Sequence, residues 1–132
     1  MKWLQKYNYL MKGLFSIYYN DFKTILEKIV NGTSHIAFKY EDIWKITINS
    51  DGYLWVCNWE QVIKKTERRF EESQMLDMIQ EIGNIVETTI NEENPILEID
   101  TEEWRITCLI PPITPFGPSI SIEKVSNQRF GV

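Results

Sequence analysis

Two oppositely charged side chains flank a proline-rich loop in the 132-residue chain. Arg105 lies in an alternating run before the loop, and Glu123 lies in a similar run after it. Strict alternation of apolar and polar residues is typical of half-buried strands. If the loop pairs Ile110 with Pro118, Arg105 falls opposite Glu123, on the faces turned away from the core. Directly opposed β-carbons lie about 4.5–5.5 Å apart, so the sequence predicts an ion pair across a hairpin, exposed to solvent.

The hairpin itself is predicted from its apolar residues and its prolines. One face of each run is apolar; its members are Trp104, Ile106, Cys108 and Ile110 in the first run and Ile120 and Ile122 in the second. The loop between them holds four of the five prolines of the chain. Because proline has no N–H group and a fixed φ, we expect this loop to be stiff and non-helical.

The segment from Arg105 to Lys124, RITCLIPPITPFGPSISIEK, resembles a segment of the secretion-ATPase superfamily. It is most similar to the CpaF-like Flp/Tad pilus-assembly ATPases and the conjugative type IV secretion ATPases. In that family a strand with an arginine runs into a Pro-Pro loop, Gly-Pro follows, and a second strand ends in Ile-Arg-Lys. Here the second strand ends in Ile122-Glu123-Lys124, so a glutamate stands where the family has arginine.

This resemblance implies a function for the charged pair. The family segment closes a PAS-like N-terminal domain, and ATP lies between that domain and the catalytic domain. Two N-terminal arginines reach the phosphates of the ATP; one matches Arg105 and the other matches Glu123. Arginine suits phosphate because its planar fork donates several charge-assisted hydrogen bonds. The resemblance therefore makes Arg105 a candidate phosphate contact, Glu123 a replaced arginine, and Lys124 its neighbour in the motif.

Cofactors and partners follow from the same resemblance. ATP and Mg²⁺ are expected only in a longer parent protein, and this chain alone is expected to bind no cofactor. The implied partners are neighbouring subunits of a homo-hexamer and inner-membrane secretion or pilus components. The implied location is the cytoplasm, with a peripheral position at the inner face of the cell membrane as a further expectation.

Composition excludes several other kinds of site. The chain contains no G-x-x-x-x-G-K-[ST] loop for a triphosphate, and its net charge of −5 argues against nucleic-acid binding. Cys57 and Cys108 lack C-x-x-C spacing and are expected to be buried free thiols. His35 has no partner ligand nearby, and the six carboxylates between Glu92 and Glu103 are expected to be a solvated edge and turn. No metal site and no catalytic residue are predicted.

The remaining elements are predicted from periodicity. An aromatic, lysine-bearing helix at Met1–Tyr19 would dock on its own protein or a neighbouring subunit, or would lie on a membrane surface. An Asp-Gly hairpin turn separates two strands between Ile43 and Cys57, Glu60–Lys64 is a third, and Ile96–Asp100 follows the main helix. The main helix, Phe70–Ile90, carries an apolar stripe of Met75, Ile79, Ile82 and Val86.

Together these elements predict an α+β fold: N-terminal helices, then an antiparallel sheet of about five strands with one long helix packed on a face, as in PAS-like domains. We divide the chain into a helical region (1–40), a PAS-like domain (41–125) and the start of a linker to a missing catalytic domain (126–132). Three functions remain open at this point. The chain is an assembly and nucleotide-positioning domain of a hexameric secretion ATPase, a degenerate relative that binds proteins, or a PAS-like module for a small ligand.

The absence of a phosphate-cradling loop generates a first prediction. The purified 132-residue chain should hydrolyse no ATP above the background of buffer and a mock purification. Phosphate release measured across successive column fractions is the test. Turnover that follows the protein peak through two different columns would contradict the prediction.

Overall fold

The computed structural model describes residues 20–125; the predicted Met1–Tyr19 helix and the 126–132 linker lie outside this range. Helix α1 is described over residues 20–31, and a 3-10 turn at Tyr40–Asp42 precedes the sheet. The later elements are strands β1 (Ile43–Ile48), β2 (Tyr53–Asn58) and β3 (Ile63–Arg69), helix α2 (Glu72–Ile85), and strands β4 (Ile96–Asp100), β5 (Trp104–Leu109) and β6 (Ser119–Lys124). The predicted α+β class is confirmed, and neither described helix has the length and apolarity needed to cross a lipid bilayer.

The six strands form one antiparallel sheet in the order β3-β2-β1-β6-β5-β4. Two three-stranded meanders, β1–β2–β3 and β4–β5–β6, meet in the middle through pairing of β1 with β6. The sheet has one strand more than the predicted number of about five. The predicted third strand, Glu60–Lys64, begins later and extends to Arg69, because the residues before Ile63 form the β2–β3 turn.

The apolar core lies on one face of this sheet. The inward residues of the strands join α1 and α2 in a single cluster, and the predicted stripe of Met75, Ile79, Ile82 and Val86 is buried in it. Helix α2 begins where Glu71 and Gln74 form a capping box. It ends earlier than predicted, because the Thr88 N–H group bonds to the Gly83 carbonyl and Glu87 takes a φ of 55°.

The predicted Asp-Gly turn links two parts of the fold. Gly52 has a φ of 89°, and its carbonyl accepts the Phe70 N–H at 2.8 Å, at the junction of β3 and α2. The Asp51 side chain accepts the Tyr53 N–H at 3.0 Å. Glycine is required here by conformation, and a β-carbon would overlap the Phe70 carbonyl oxygen. The turn therefore positions both the first hairpin and the start of α2.

Gly52→Ala should lower the free energy of unfolding by about 1–3 kcal/mol, because alanine resists this φ and its methyl group displaces Phe70. Urea unfolding followed by circular dichroism measures the change. Asp51→Asn is the matched control, since it keeps the side-chain oxygen that accepts the Tyr53 N–H. Equal unfolding midpoints for Gly52→Ala and the wild-type protein would contradict this assignment.

Candidate functional site

The register of the β5–β6 hairpin is the predicted one. Arg105 pairs with Glu123 in the antiparallel ladder, and the Arg105 Nη1 atom lies 3.7 Å from Glu123 Oε2. The loop between the strands is held against the β1–β2 turn, because the Ser50 hydroxyl donates to the Gly117 carbonyl at 2.9 Å. The stiff loop thus keeps the register, and the register brings the two charged side chains together.

The charged pair belongs to a longer row across four strands. Asp100, Arg105, Glu123 and Lys45 are successive register partners on β4, β5, β6 and β1. The Lys45 Nζ atom lies 3.3 Å from Glu123 Oε1, and the Arg105 Nε atom lies 3.9 Å from Asp100 Oδ1. The signs alternate along the row, which is the arrangement that stabilises cross-strand neighbours. We call these four residues the charge row.

Within the charge row, Glu123 departs from the sequence expectation of a solvent-exposed pair, whereas Arg105 agrees with it. The Glu123 side chain retains only 18% of its exposure, whereas Arg105 retains 58%. The reason is that Glu123 lies between two longer side chains, Lys45 of β1 and Arg105 of β5, which both extend over its carboxylate. A partly buried carboxylate gains from this pairing, since removing a charge from water without a partner is costly.

Two shallow clefts border the charge row on the outer face of the sheet, opposite the core. One, of about 270 Å³, is lined by Trp44, Trp59, Gln61, Arg105, Glu123, Lys124 and Val125. The other, of about 360 Å³, is lined by Trp44, Lys45, Thr47, Trp55, Val56, Cys57, Gln61 and Ile63. Because α1 and α2 pack on the opposite face, neither described helix covers these clefts.

Tryptophans line both clefts, and Trp44 is common to the two. Trp44 stacks on Trp59 with ring centroids 6.1 Å apart, and the Trp44 indole donates to Cys57 Sγ at 3.2 Å. Trp59 donates to the Glu41 carbonyl at 3.2 Å. These bonds hold both rings in place beside the charge row. The two indole rings offer an apolar aromatic surface next to the cations Lys45 and Arg105. Such a surface suits an anion that is attached to a flat or apolar group.

Lys124, the third candidate residue, makes a different contact. Its Nζ atom donates to the Tyr40 carbonyl at 2.9 Å and lies 3.9 Å from the centroid of the Tyr40 ring. Burial lowers the pKa of Lys124 to about 8, although the nearby carboxylate of Glu41 acts in the opposite direction. The structure brings Arg105 and Glu123 together but directs the Lys124 ammonium group towards Tyr40.

Other candidates for chemistry contribute no site within residues 20–125. No group of three or more His, Cys, Asp or Glu side chains in that range could hold a metal ion. Cys57 and Cys108 are free and buried, as predicted, and burial raises the pKa of Cys108 to about 12. A thiol with so high a pKa is a poor nucleophile.

Sequence reasoning missed Lys45, Trp44, Trp59 and Gln61 as neighbours of the charged pair. Alternation in β1 places Lys45 on the outer face, but no local signal shows that β1 pairs with β6. The tryptophans meet through a bulge in β1 at Ile43–Lys45 and the β2–β3 turn. Gln61, at that turn, takes a φ of 68°, which its sequence context did not indicate.

Comparison with known proteins adds one finding. No protein-family model and no curated protein sequence matches this chain. Among solved structures, the fold matches the VirB11 ATPase from the Brucella suis type IV secretion system, crystallised in complex with sulphate, with a TM-score of 0.60 and 14% identity. The two share a fold. The match covers 80% of this chain and 31% of the VirB11 ATPase chain, so this chain spans about a third of that protein.

The low pKa of Lys124 generates a prediction. Its folded pKa of about 8 lies below its ordinary value of 10.5, so the unfolded chain binds more protons between those two values. The contribution of Lys124 to stability should therefore increase as the pH rises through this window. The urea midpoint of Lys124→Met should lack this rise, whereas the exposed control Lys64→Met should keep it. NMR titration in which every lysine of the folded protein titrates near 10.5 would contradict the assignment.

Proposed function

We propose that this chain is the nucleotide-positioning and assembly domain of a secretion ATPase. The observation that carries the proposal is the fold shared with the VirB11 ATPase of a type IV secretion system over 80% of the chain. The Pro-Pro and Gly-Pro motif of residues 105–124 supports it independently, since the motif is a feature of the sequence and does not depend on the comparison of folds. In this role the chain performs no chemistry itself.

The outer face of the sheet is the surface that fits this role. It carries Arg105 and two open clefts, and both described helices pack on the other side. A P-loop cradles a triphosphate with backbone N–H groups, and the 132-residue sequence contains no P-loop motif. A catalytic domain with a P-loop would supply that cradle and cover the outer face. Arg105 would then contact the phosphates from the side of this domain, while the P-loop would bind them from the side of the catalytic domain.

The assembly role concerns neighbouring subunits. The family that the sequence resembles forms hexamers, and a closed ring repeats the same heterologous contact in each subunit. We propose a homo-oligomer, a hexamer by family resemblance, located in the cytoplasm and working with inner-membrane secretion or pilus components. ATP and Mg²⁺ would bind only once the catalytic domain is present.

The coding sequence around this domain provides the first test. A P-loop domain encoded after Val132, or a separate P-loop protein that co-purifies with this chain, is the expected result. A coding sequence that ends at Val132 in a cell without any P-loop partner for the chain would contradict the proposal.

Glu123→Arg, made in the polypeptide that carries both domains, tests the phosphate role. Restoring the arginine of the family should tighten ATP binding by about tenfold, the effect of one added hydrogen bond to a charged group. The isolated domain should lose stability, because the new arginine would stand between Lys45 and Arg105. Calorimetric titration with ATP measures the first effect and urea unfolding the second. Unchanged ATP affinity would contradict a phosphate contact at this face.

A further inference from the structure

The carboxylate of Glu123 lies between two cations, and each of its oxygens faces one of them. Oε1 is 3.3 Å from Lys45 Nζ, and Oε2 is 3.7 Å from Arg105 Nη1. Lys45 and Arg105 lie two strands apart, so their backbones are about 10 Å from each other. Their long side chains converge on one anionic group from opposite sides. This is the geometry of a bound anion, supplied here by the chain itself.

Neither cation holds the carboxylate tightly. Charge-assisted N–H···O hydrogen bonds are about 2.7–2.9 Å long, and both contacts exceed this distance. The contact of Arg105 with Asp100, at 3.9 Å, is longer still. Arginine has five N–H donors and lysine three, so both retain the capacity to bind more oxygen atoms. An anion with more charge and more oxygens than a carboxylate would make shorter contacts with the same pair.

We propose that Lys45 and Arg105 form an oxyanion site for the phosphates of a nucleotide, with Glu123 as its built-in occupant. Lys45 is the second cation, in place of the arginine that Glu123 replaces. A polyphosphate competes with the Glu123 carboxylate and displaces it, so the glutamate sets the affinity of the site. That the ligand is a nucleotide rests on the proposed function; the oxyanion site itself rests on the charge row.

The surroundings of the site are consistent with displacement. Lys45 lines one outer cleft and Arg105 lines the other, and Trp44 lies between them. Glu123 lines the same cleft as Arg105, and no described helix closes that cleft. The chain as a whole carries a net charge of −5, so general electrostatic attraction does not draw anions to it. Binding of an anion here would therefore come from the local arrangement of Lys45 and Arg105.

Inorganic pyrophosphate is the probe, because it carries the charge of a nucleotide without a base to stack on the tryptophans. Titration calorimetry of the 132-residue chain at low ionic strength should show weak binding in the wild-type protein. Glu123→Gln should bind pyrophosphate at least tenfold more tightly, because the competing carboxylate is gone. Adding Lys45→Met to this variant should remove the gain, since one of the two cations is lost while the length of the side chain is kept.

Two matched controls separate the site from net charge. Glu98→Gln removes an exposed glutamate from the same face, two residues along β4 from Asp100, and should leave the affinity at the wild-type level. Lys64→Met, combined with Glu123→Gln, removes an exposed lysine from the opposite face and should keep the gain. Circular dichroism and the urea midpoint of each variant establish that the fold is retained.

Each outcome decides the proposal. A gain in Glu123→Gln that depends on Lys45 supports it, while no gain, or a gain equal to that in Glu98→Gln, overturns it and leaves an ion-pair row only. If Glu123→Gln fails to fold, an NMR titration of the wild-type protein with pyrophosphate replaces it. Pyrophosphate should shift the side-chain signals of Lys45 and Arg105, and the absence of any shift overturns the proposal. If pyrophosphate binds but no P-loop partner exists, the oxyanion site stands and the secretion-ATPase role falls.

Discussion

The pairing of β1 with β6 is the contact on which the rest of the structure depends. Each meander is a three-stranded sheet, close to the smallest sheet that is stable alone. Joined through Ile46–Ile122 and Ile48–Ile120, the two make one apolar face wide enough for both helices. The partners are the first and last strands in chain order, so closure is entropically unfavourable until these buried isoleucines meet. The same pairing brings Lys45 beside Glu123, which neither meander could do alone.

Much of the fold could be predicted from the sequence, because most of its signals are local. Alternation around the proline loop predicted the β5–β6 register residue by residue, and the Asp-Gly turn predicted the first hairpin. The bounds of β3 were wrong because this edge strand, with four basic residues and an exposed Ile63, has no apolar alternation. The end of α2 was wrong because Ile90 is buried in the core although it lies beyond the helix. The spacing of apolar residues indicates which residues are buried, and here buried residues continue to Ile90 although the helix ends at Ile85.

The candidate site was only half predictable for a different reason. Arg105 and Glu123 lie in one hairpin, so their meeting follows from local pairing, whereas Lys45 arrives through the non-local β1–β6 contact. Knowledge of the strand order would have sufficed, since alternation already placed Lys45 on the outer face. The partial burial of Glu123 likewise depends on strand order, because the β1–β6 pairing is what adds Lys45 to the side that Arg105 does not cover. The missing information was topology and not residue chemistry.

The identity of residue 123 is coupled to that of residue 45. With a lysine on β1, an arginine on β6 would place three cations in adjacent positions, and like charges directly opposite one another destabilise a sheet. A glutamate at 123 converts the same positions into a row of alternating sign, which stabilises the sheet when no ligand is bound. A site for phosphate, in contrast, requires cations without competing anions, and such a site is strained when empty. In the proposed oxyanion site, Glu123 would thus favour the stability of the empty domain over affinity for an anion, and Lys45 would supply the second cation once that carboxylate is removed.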